Sequence, residues 1–199
     1  MKYTLISSLG TGMYKKEGGY RKTTYVFSEN KQIETQLFLN AVLESQLWNI
    51  KKIILIGPRT SSWDILLDEN KYEDLWLDVR LQCETSGITD ENLEKIRKIV
   101  TEEEGLQFCL KVHTSKVDSD SIQGIFNVYN TTSKDFFPDT RVLFDITHGF
   151  RSIPILIYQA LQFESVKNTI NNIDLIYGEY IDMQKKSFCP QFKQILGTF

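Results

Sequence analysis

Residues 141–160 read RVLFDITHGFRSIPILIYQA, and three kinds of sequence follow one another inside that stretch. Val142, Leu143 and Phe144 form a short apolar run, the signature of a strand buried on both faces. Asp145, Thr147, His148, Gly149, Arg151 and Ser152 then fall within eight residues. From Ile153 onward the residues are apolar at helical spacing, with Pro154 in the first turn, where a missing N–H costs little. Strand, polar elbow and helix N-terminus together make an anion site in an open α/β sheet. Free backbone N–H groups and the positive end of the helix dipole face the space beyond the strand. Arg151 adds a planar guanidinium suited to phosphate. The stretch therefore predicts a site for a phosphate-bearing ligand.

Working outward, the same alternation recurs along the chain. Strands are expected at residues 3–8, 20–27, 52–57, 106–112 and 173–177, and helices at 31–48, 63–69, 71–85, 89–103, 118–130 and 153–167. Residues 31–48 carry Ile33, Leu37, Phe38, Ala41, Val42, Leu43 and Leu47 at helical spacing. Ser62 is an expected cap for the helix at 63, and Leu75, Trp76, Val79 and Leu81 are the expected inward face of the helix over 71–85. A hairpin involving residues 180–183 and Phe188 is expected to close the chain. Strands alternating with helices predict one α/β domain over residues 1–199, a doubly wound, mostly parallel Rossmann-like sheet with helices on both faces.

Bulk properties bound the function. A chain of 199 residues with 41% hydrophobic residues can bury a substantial core, and 25% charged residues with four prolines argue against long disorder. No signal peptide or membrane-spanning run is present. Cys83, Cys109 and Cys189 are odd in number and widely spaced, as expected of reduced thiols in a cytoplasmic protein. With two histidines and no CxxC pair, no metal is expected. The net charge of −3 is wrong for a general DNA or RNA coat. Residues 1–25 nevertheless hold five basic side chains (Lys2, Lys15, Lys16, Arg21, Lys22) against Glu17 alone. That loop is either a solvated basic surface or a screen for phosphates.

Ligands of doubly wound sheets bind beyond the carboxyl ends of the strands. Three expected strands end in polar, glycine-containing turns: Ser8–Gly12, Gly57–Ser62 and Thr147–Ser152. They should crowd one edge of the sheet. Gly10 and Gly12 lack the glycine at position 15 that GxGxxG requires, no Walker pattern is present, and neither NAD nor ATP is expected as a cofactor. His148 reads as a structural hydrogen-bonding group, Asp145 as a carboxylate that holds the elbow, and no nucleophile pairs with His148 as a hydrolase triad would require.

The run from Asp145 to Pro154 (DITHGFRSIP) resembles the DxTHGxRxxP signature of the CRISPR-associated Rossmann-fold (CARF) family, in its DxTHG branch. Leu9-Gly10-Thr11-Gly12, then Tyr20-Arg21, Thr23 and Tyr25, are similar to that branch's opening. Gly57 through Trp63 resembles its second loop, with Pro58-Arg59 interposed before Thr60, and Tyr177-Gly178 suits the family. The resemblance implies a type III CRISPR sensor that binds a cyclic oligoadenylate, commonly the tetra-adenylate, across a homodimer axis. Two-fold ligand and two-fold interface suit each other. The implied ligand residues are Ser8, Leu9, Gly10, Thr11, Gly12, Tyr14, Arg59, Thr60, Ser61, Ser62, Thr147, His148, Gly149, Arg151 and Ser152.

Family members usually continue into an effector, often a HEPN ribonuclease with an R-x4–6-H motif. Arg141 and His148 match that spacing formally, but they flank an expected buried strand, so the match reads as accidental. No effector is expected within these residues: the chain reads as a sensor domain alone or as a standalone protein. The competing reading is a ring nuclease that cleaves its own ligand without metal by 2′-OH attack. Ser8, Thr11, Lys15, Arg59, His148 and Arg151 would orient or stabilise that reaction. A nucleotide-binding α/β protein unrelated to CRISPR is the third reading.

Overall fold

The computed structural model describes residues 1–10, 20, 22–113, 123, 141–148, 155, 157–159, 161–162 and 172–178. In chain order the elements are β1 (Tyr3–Ser8), β2 (Thr23–Ser28), β3 (Lys31–Thr35), α1 (Phe38–Ser45), β4 (Ile50–Pro58), a 3-10 turn (Trp63–Leu66), α2 (Glu73–Glu84), α3 (Asp90–Glu104), β5 (Gln107–His113), β6 (Arg141–Asp145) and β7 (Ile173–Ile176). Five strands form one sheet in the order β5-β4-β1-β6-β7, every neighbouring pair parallel. The expected doubly wound α/β fold is the observed one.

Period-two alternation explains why both faces of this sheet are covered. Leu5, Ile53, Leu55 and Leu143 point into one core, with Phe38, Val42, Val79, Ile96 and Val100 from the helices. The alternate residues Ile6, Ile54, Ile56, Val142 and Phe144 point into a second core, closed by Ile157 and Leu161. The central strands are accordingly near-continuous apolar runs, as the runs at 52–57 and 142–144 predict.

Four expectations need correction. The helix expected over 31–48 is a strand followed by a shorter helix: β3 pairs antiparallel with β2, Ile33 opposite Tyr25, and α1 starts only at Phe38. Ile33 sits four residues before Leu37, so its spacing fits a helix, but tertiary pairing with β2 decides the local structure. Leu47 lies past the end of α1 and is 55% exposed. The helix expected at 63–69 is a single 3-10 turn, and Ser62 makes no side-chain cap bond. On α2, Leu81 is 54% exposed and Cys83 is buried in its place. β2 begins at Thr23, three residues after the expected start.

The helix over 89–103 stands as expected: Thr89 Oγ1 accepts from the Asn92 amide at 3.3 Å, and Asp90 and Glu91 occupy the first turn. Cys83 and Cys109 are free thiols. The expected helix over 118–130 and the hairpin at 180–188 lie outside the described residues. So does much of the helix over 153–167, although residues 155, 157–159 and 161–162 are helical.

Candidate functional site

The strand order sets the place of the site. The chain runs outward from β1 through β4 to β5, then returns to the other side of β1 as β6. Connections diverge at the carboxyl ends of β1 and β6, where such sheets open a ligand crevice. Ser7 is in register with Asp145, Ser8 with Ile56, and Asp145 with Ile176, so the ends of β1, β4, β6 and β7 are level.

Asp145 anchors the elbow after β6. Its side chain is wholly buried; Oδ2 accepts from Ser7 Oγ at 2.6 Å and Oδ1 from the Thr147 amide at 2.8 Å. Burial pushes this carboxyl above its ordinary range, and the bonds from Ser7 and Thr147 and the nearby His148 oppose that shift. The bond to an amide two residues on is an Asx-type turn, which fixes the direction in which the chain leaves the strand. Thr147 Oγ1 then accepts from the Gly178 amide at 2.7 Å, which fastens the turn after β7 to the elbow. A Cβ at Gly178 would lie 2.8 Å from Phe38 Cδ2 and 2.9 Å from Tyr25 Cε1, so only glycine fits there. Tyr25 is pushed up to about 12 by burial and by the Asp145 carboxyl.

His148 works as an acceptor. Helix α1 begins after Leu37, which has no side-chain group to satisfy the first free amides, and the Phe38 N–H donates to His148 Nε2 at 3.2 Å instead. That bond requires a lone pair on Nε2, hence a neutral ring protonated on Nδ1. Burial depresses the imidazole below its ordinary value, with Asp145 opposing. The His148 carbonyl accepts from Ser8 Oγ, joining the elbow to the end of β1. The Tyr20 ring stands edge-on to the imidazole, centroids 5.0 Å apart at 73°.

The turn after β4 is packed against the turn after β1. Leu9 N donates to Ile56 O at 2.8 Å, Ser61 Oγ to Leu9 O at 2.7 Å, and Ser62 N to Gly10 O at 3.3 Å. A Cβ on Gly57 would approach Leu9 O to 2.8 Å, so glycine is required by closeness of backbones. Trp63 is buried beneath this turn, its indole N–H on Pro58 O at 2.9 Å.

Of the expected site residues, the structure brings Ser8, Leu9, Gly10, Ser61, Ser62, Thr147 and His148 to one end of the sheet. Ser8, Leu9, Gly10, Ser61 and Ser62 are buried, so they build the turns rather than line an open surface. Thr60 is half-buried in the same turn. Arg59 points elsewhere: Nη1 donates to Ile88 O at 2.7 Å and Nη2 to Asp90 Oδ1 at 2.6 Å, at the start of α3. Thr11, Gly12, Tyr14, Lys15, Gly149, Arg151 and Ser152 lie outside the described residues. Arg141 pairs with Asp174 at 3.2 Å at the far end of β6 from His148, so these two do not form a joint centre.

Sequence reasoning did not single out Ser7, Tyr20 or Phe38 as parts of the site. The one available signal was the helix start at Phe38 without a Ser, Thr, Asp or Asn before it, a start that needs a cap from elsewhere. Among the described residues no group of three or more His, Cys, Asp or Glu is placed to hold a metal ion, and no helix is long and apolar enough to cross a membrane. The Ser8 hydroxyl and His148 Nε2 both bond to backbone, not to each other.

Such a latched set of turns at a topological switch point belongs to a Rossmann-like α/β domain. Residues 4–181 match the CARF domain of the CRISPR system endoribonuclease Csx1, and the chain belongs to that family. It is 25% identical over 203 residues to the CRISPR-associated protein MJ1674 of Methanocaldococcus jannaschii, an alignment covering 89% of this chain and 31% of that protein. A solved structure of Enterococcus italicus Csm6, bound to cyclic hexa-2′-fluoro-hexa-dAMP, superposes with a TM-score of 0.44 at 14% identity, covering 92% of this chain and 35% of that one. The chain therefore spans about a third of the length of both.

Proposed function

We propose that this domain is a sensor of type III CRISPR defence and that the crevice beyond β1 and β6 binds a cyclic oligoadenylate, with the tetra-adenylate as the first ligand to test. The observation that carries the reading is the latch. Hydrogen bonds, those of Asp145 with Ser7 and of Ser61 with Leu9 buried, hold the turns after β1, β4, β6 and β7 in one arrangement at the end of the sheet. A pre-ordered rim lowers the ordering cost of binding a flexible phosphate ring. Membership of the CARF family supports the ligand class. The neutral His148, engaged as an acceptor, suits binding better than proton transfer.

In this reading the helix start expected after the elbow and Arg151 receive phosphates, and a second copy of the chain completes a two-fold site. Arg151→Ala should weaken binding by about 1.5–3 kcal/mol, the range of a hydrogen bond to a charged group. Isothermal titration with cyclic tri-, tetra- and hexa-adenylate tests the reading, with sedimentation reporting the dimer. Absence of heat with every ring would refute it. Ligand recovered as linear, 2′,3′-cyclic phosphate-ended fragments would replace the sensor with the ring nuclease.

A further inference from the structure

Gly10 lies buried in the turn directly after β1, and as a residue without Cβ it has the largest intrinsic freedom to rotate its peptide planes. It is not free here. The Tyr20 hydroxyl accepts from the Gly10 amide at 2.9 Å and donates to the Gly10 carbonyl at 3.0 Å, and the same carbonyl takes the Ser62 amide at 3.3 Å. One phenol thus satisfies both backbone groups of one glycine ten residues away, using both its donor and its acceptor capacity.

Tyr20 is itself held from two other sides. Its carbonyl accepts from Gln36 Nε2 at 3.0 Å, on the segment that leads into α1, and its ring packs edge-on against His148. The imidazole in turn caps α1 through Phe38 N. Gly10 is therefore connected through Tyr20 to both units: by its ring to the elbow after β6, and by its carbonyl to the segment between β3 and α1.

We propose that Tyr20 is a positioning residue for the ligand: its hydroxyl fixes the peptide planes of Gly10 and makes the turn after β1 and the His148 elbow one rigid rim. The proposal rests on the ligand reading given above. Freed of the hydroxyl, Gly10 samples several orientations, only a fraction of which match the bound one. Apparent affinity falls by that fraction. The sheet itself loses no contact, so the cost to stability is confined to the Gly10 amide left without its acceptor.

Tyr20→Phe keeps the ring on His148 and removes only the hydroxyl. Titrated with cyclic tetra- and hexa-adenylate, it should bind about tenfold more weakly than the wild type, a loss on the scale of two neutral hydrogen bonds partly offset by that freedom. Its melting temperature should fall by only about 2–4 °C, the cost of one stranded donor. In protein labelled with 15N-glycine, the Gly10 amide should lose its protection from solvent exchange while the Gly57 amide keeps its own. Equal affinities for variant and wild type would overturn the proposal and leave the ligand reading standing. A melting temperature that falls together with affinity, with Gly10 still protected, would reduce Tyr20 to a structural role and overturn it too. No binding by the wild type would overturn the ligand reading, and this proposal with it.

Discussion

Two regions of the molecule use the same residue types in opposite ways. On the flank of α2 and α3, carboxylates meet full positive charges in solvent: Arg59 with Asp90, Lys95 with Glu91, Arg97 with Glu94 and Lys71 with Glu103. At the crevice a single carboxylate, Asp145, is wholly buried and is served mainly by neutral donors, a serine hydroxyl and a backbone amide. Exposed pairs each contribute little, because water and salt screen them and the long side chains lose entropy. A buried acceptor is different. Its own net contribution is modest, but its removal leaves donors stranded away from water. The flank is tolerant and the rim is brittle.

The largest effect expected from that contrast is at Asp145. Asp145→Ala should lower the unfolding free energy by about 2–3 kcal/mol, since the Ser7 hydroxyl and Thr147 amide lose their acceptor. Asp145→Asn, which keeps one acceptor and removes a buried charge, should lose clearly less. Urea unfolding at constant slope measures both. Equal losses for the two variants would mean that charge, not the stranded donors, sets the cost, and the contrast would fail.

Gly57→Ala comes next. Its new methyl would lie 2.8 Å from Leu9 O and 2.9 Å from Ser61 Oγ, and Leu9 O belongs to the backbone and cannot swing aside. About 1–3 kcal/mol is expected for such overpacking. Gly105 is the control: it carries φ +63 but nothing stands within 4 Å of its Cβ direction, so its alanine variant reports backbone strain alone. A Gly57 variant as stable as wild type would show that the turns after β1 and β4 can part.

A smaller effect should appear as a pH dependence from His148. Its folded value lies below the ordinary 6.5 because burial disfavours the charged ring. The unfolded chain therefore binds more protons at this site, and its stabilisation is complete above 6.5 and is lost as pH falls below that toward the folded value. Asp145, raised above 3.8, has the opposite sign, so the wild-type curve alone mixes the two. His148→Gln retains an acceptor for the Phe38 amide and removes one titration. Between about pH 7.5 and about pH 5.5 the wild type should lose more stability than this variant. Parallel curves would show that the imidazole charges equally in both states.

These predictions also mark what was legible in the sequence. The sheet was, because its strands are buried on both faces and so read as apolar runs such as 52–57 and 142–144. So was the gathering of the polar turns at one end, since turns following those runs must share the carboxyl end of a parallel sheet. The hairpin was not: β3 offers one buried residue, Ile33, and one apolar residue has no period. The roles of Ser61 and Ser62 were not legible either, and for His148 the structural character was legible but its partner was not. A polar side chain aimed at a ligand and one aimed at a backbone carbonyl have the same letter in the sequence. Only the placement of Leu9 O and Phe38 N separates them.

Arg59 sharpens the comparison most finely, because it belongs to the rim in sequence and to the flank in space. It follows β4 directly, as a phosphate-binding arginine would, yet both of its terminal nitrogens are engaged at the start of α3. Its main chain is fastened there as well: Ile88 N donates to Arg59 O at 2.9 Å, and Gly87, at φ +86, has room for no Cβ beside Arg59. With side chains 43% and 81% exposed, the Arg59–Asp90 pair should contribute no more than about 1 kcal/mol. Arg59→Ala should thus lower stability slightly, by an amount that shrinks in high salt, and leave affinity for a cyclic oligoadenylate unchanged. A loss of affinity of tenfold or more, about 1.4 kcal/mol, would show that the guanidinium exchanges Asp90 for ligand phosphate. Arg59 would then move from the flank to the rim, and Asp90→Asn, by releasing it, should tighten binding rather than leave it unaltered.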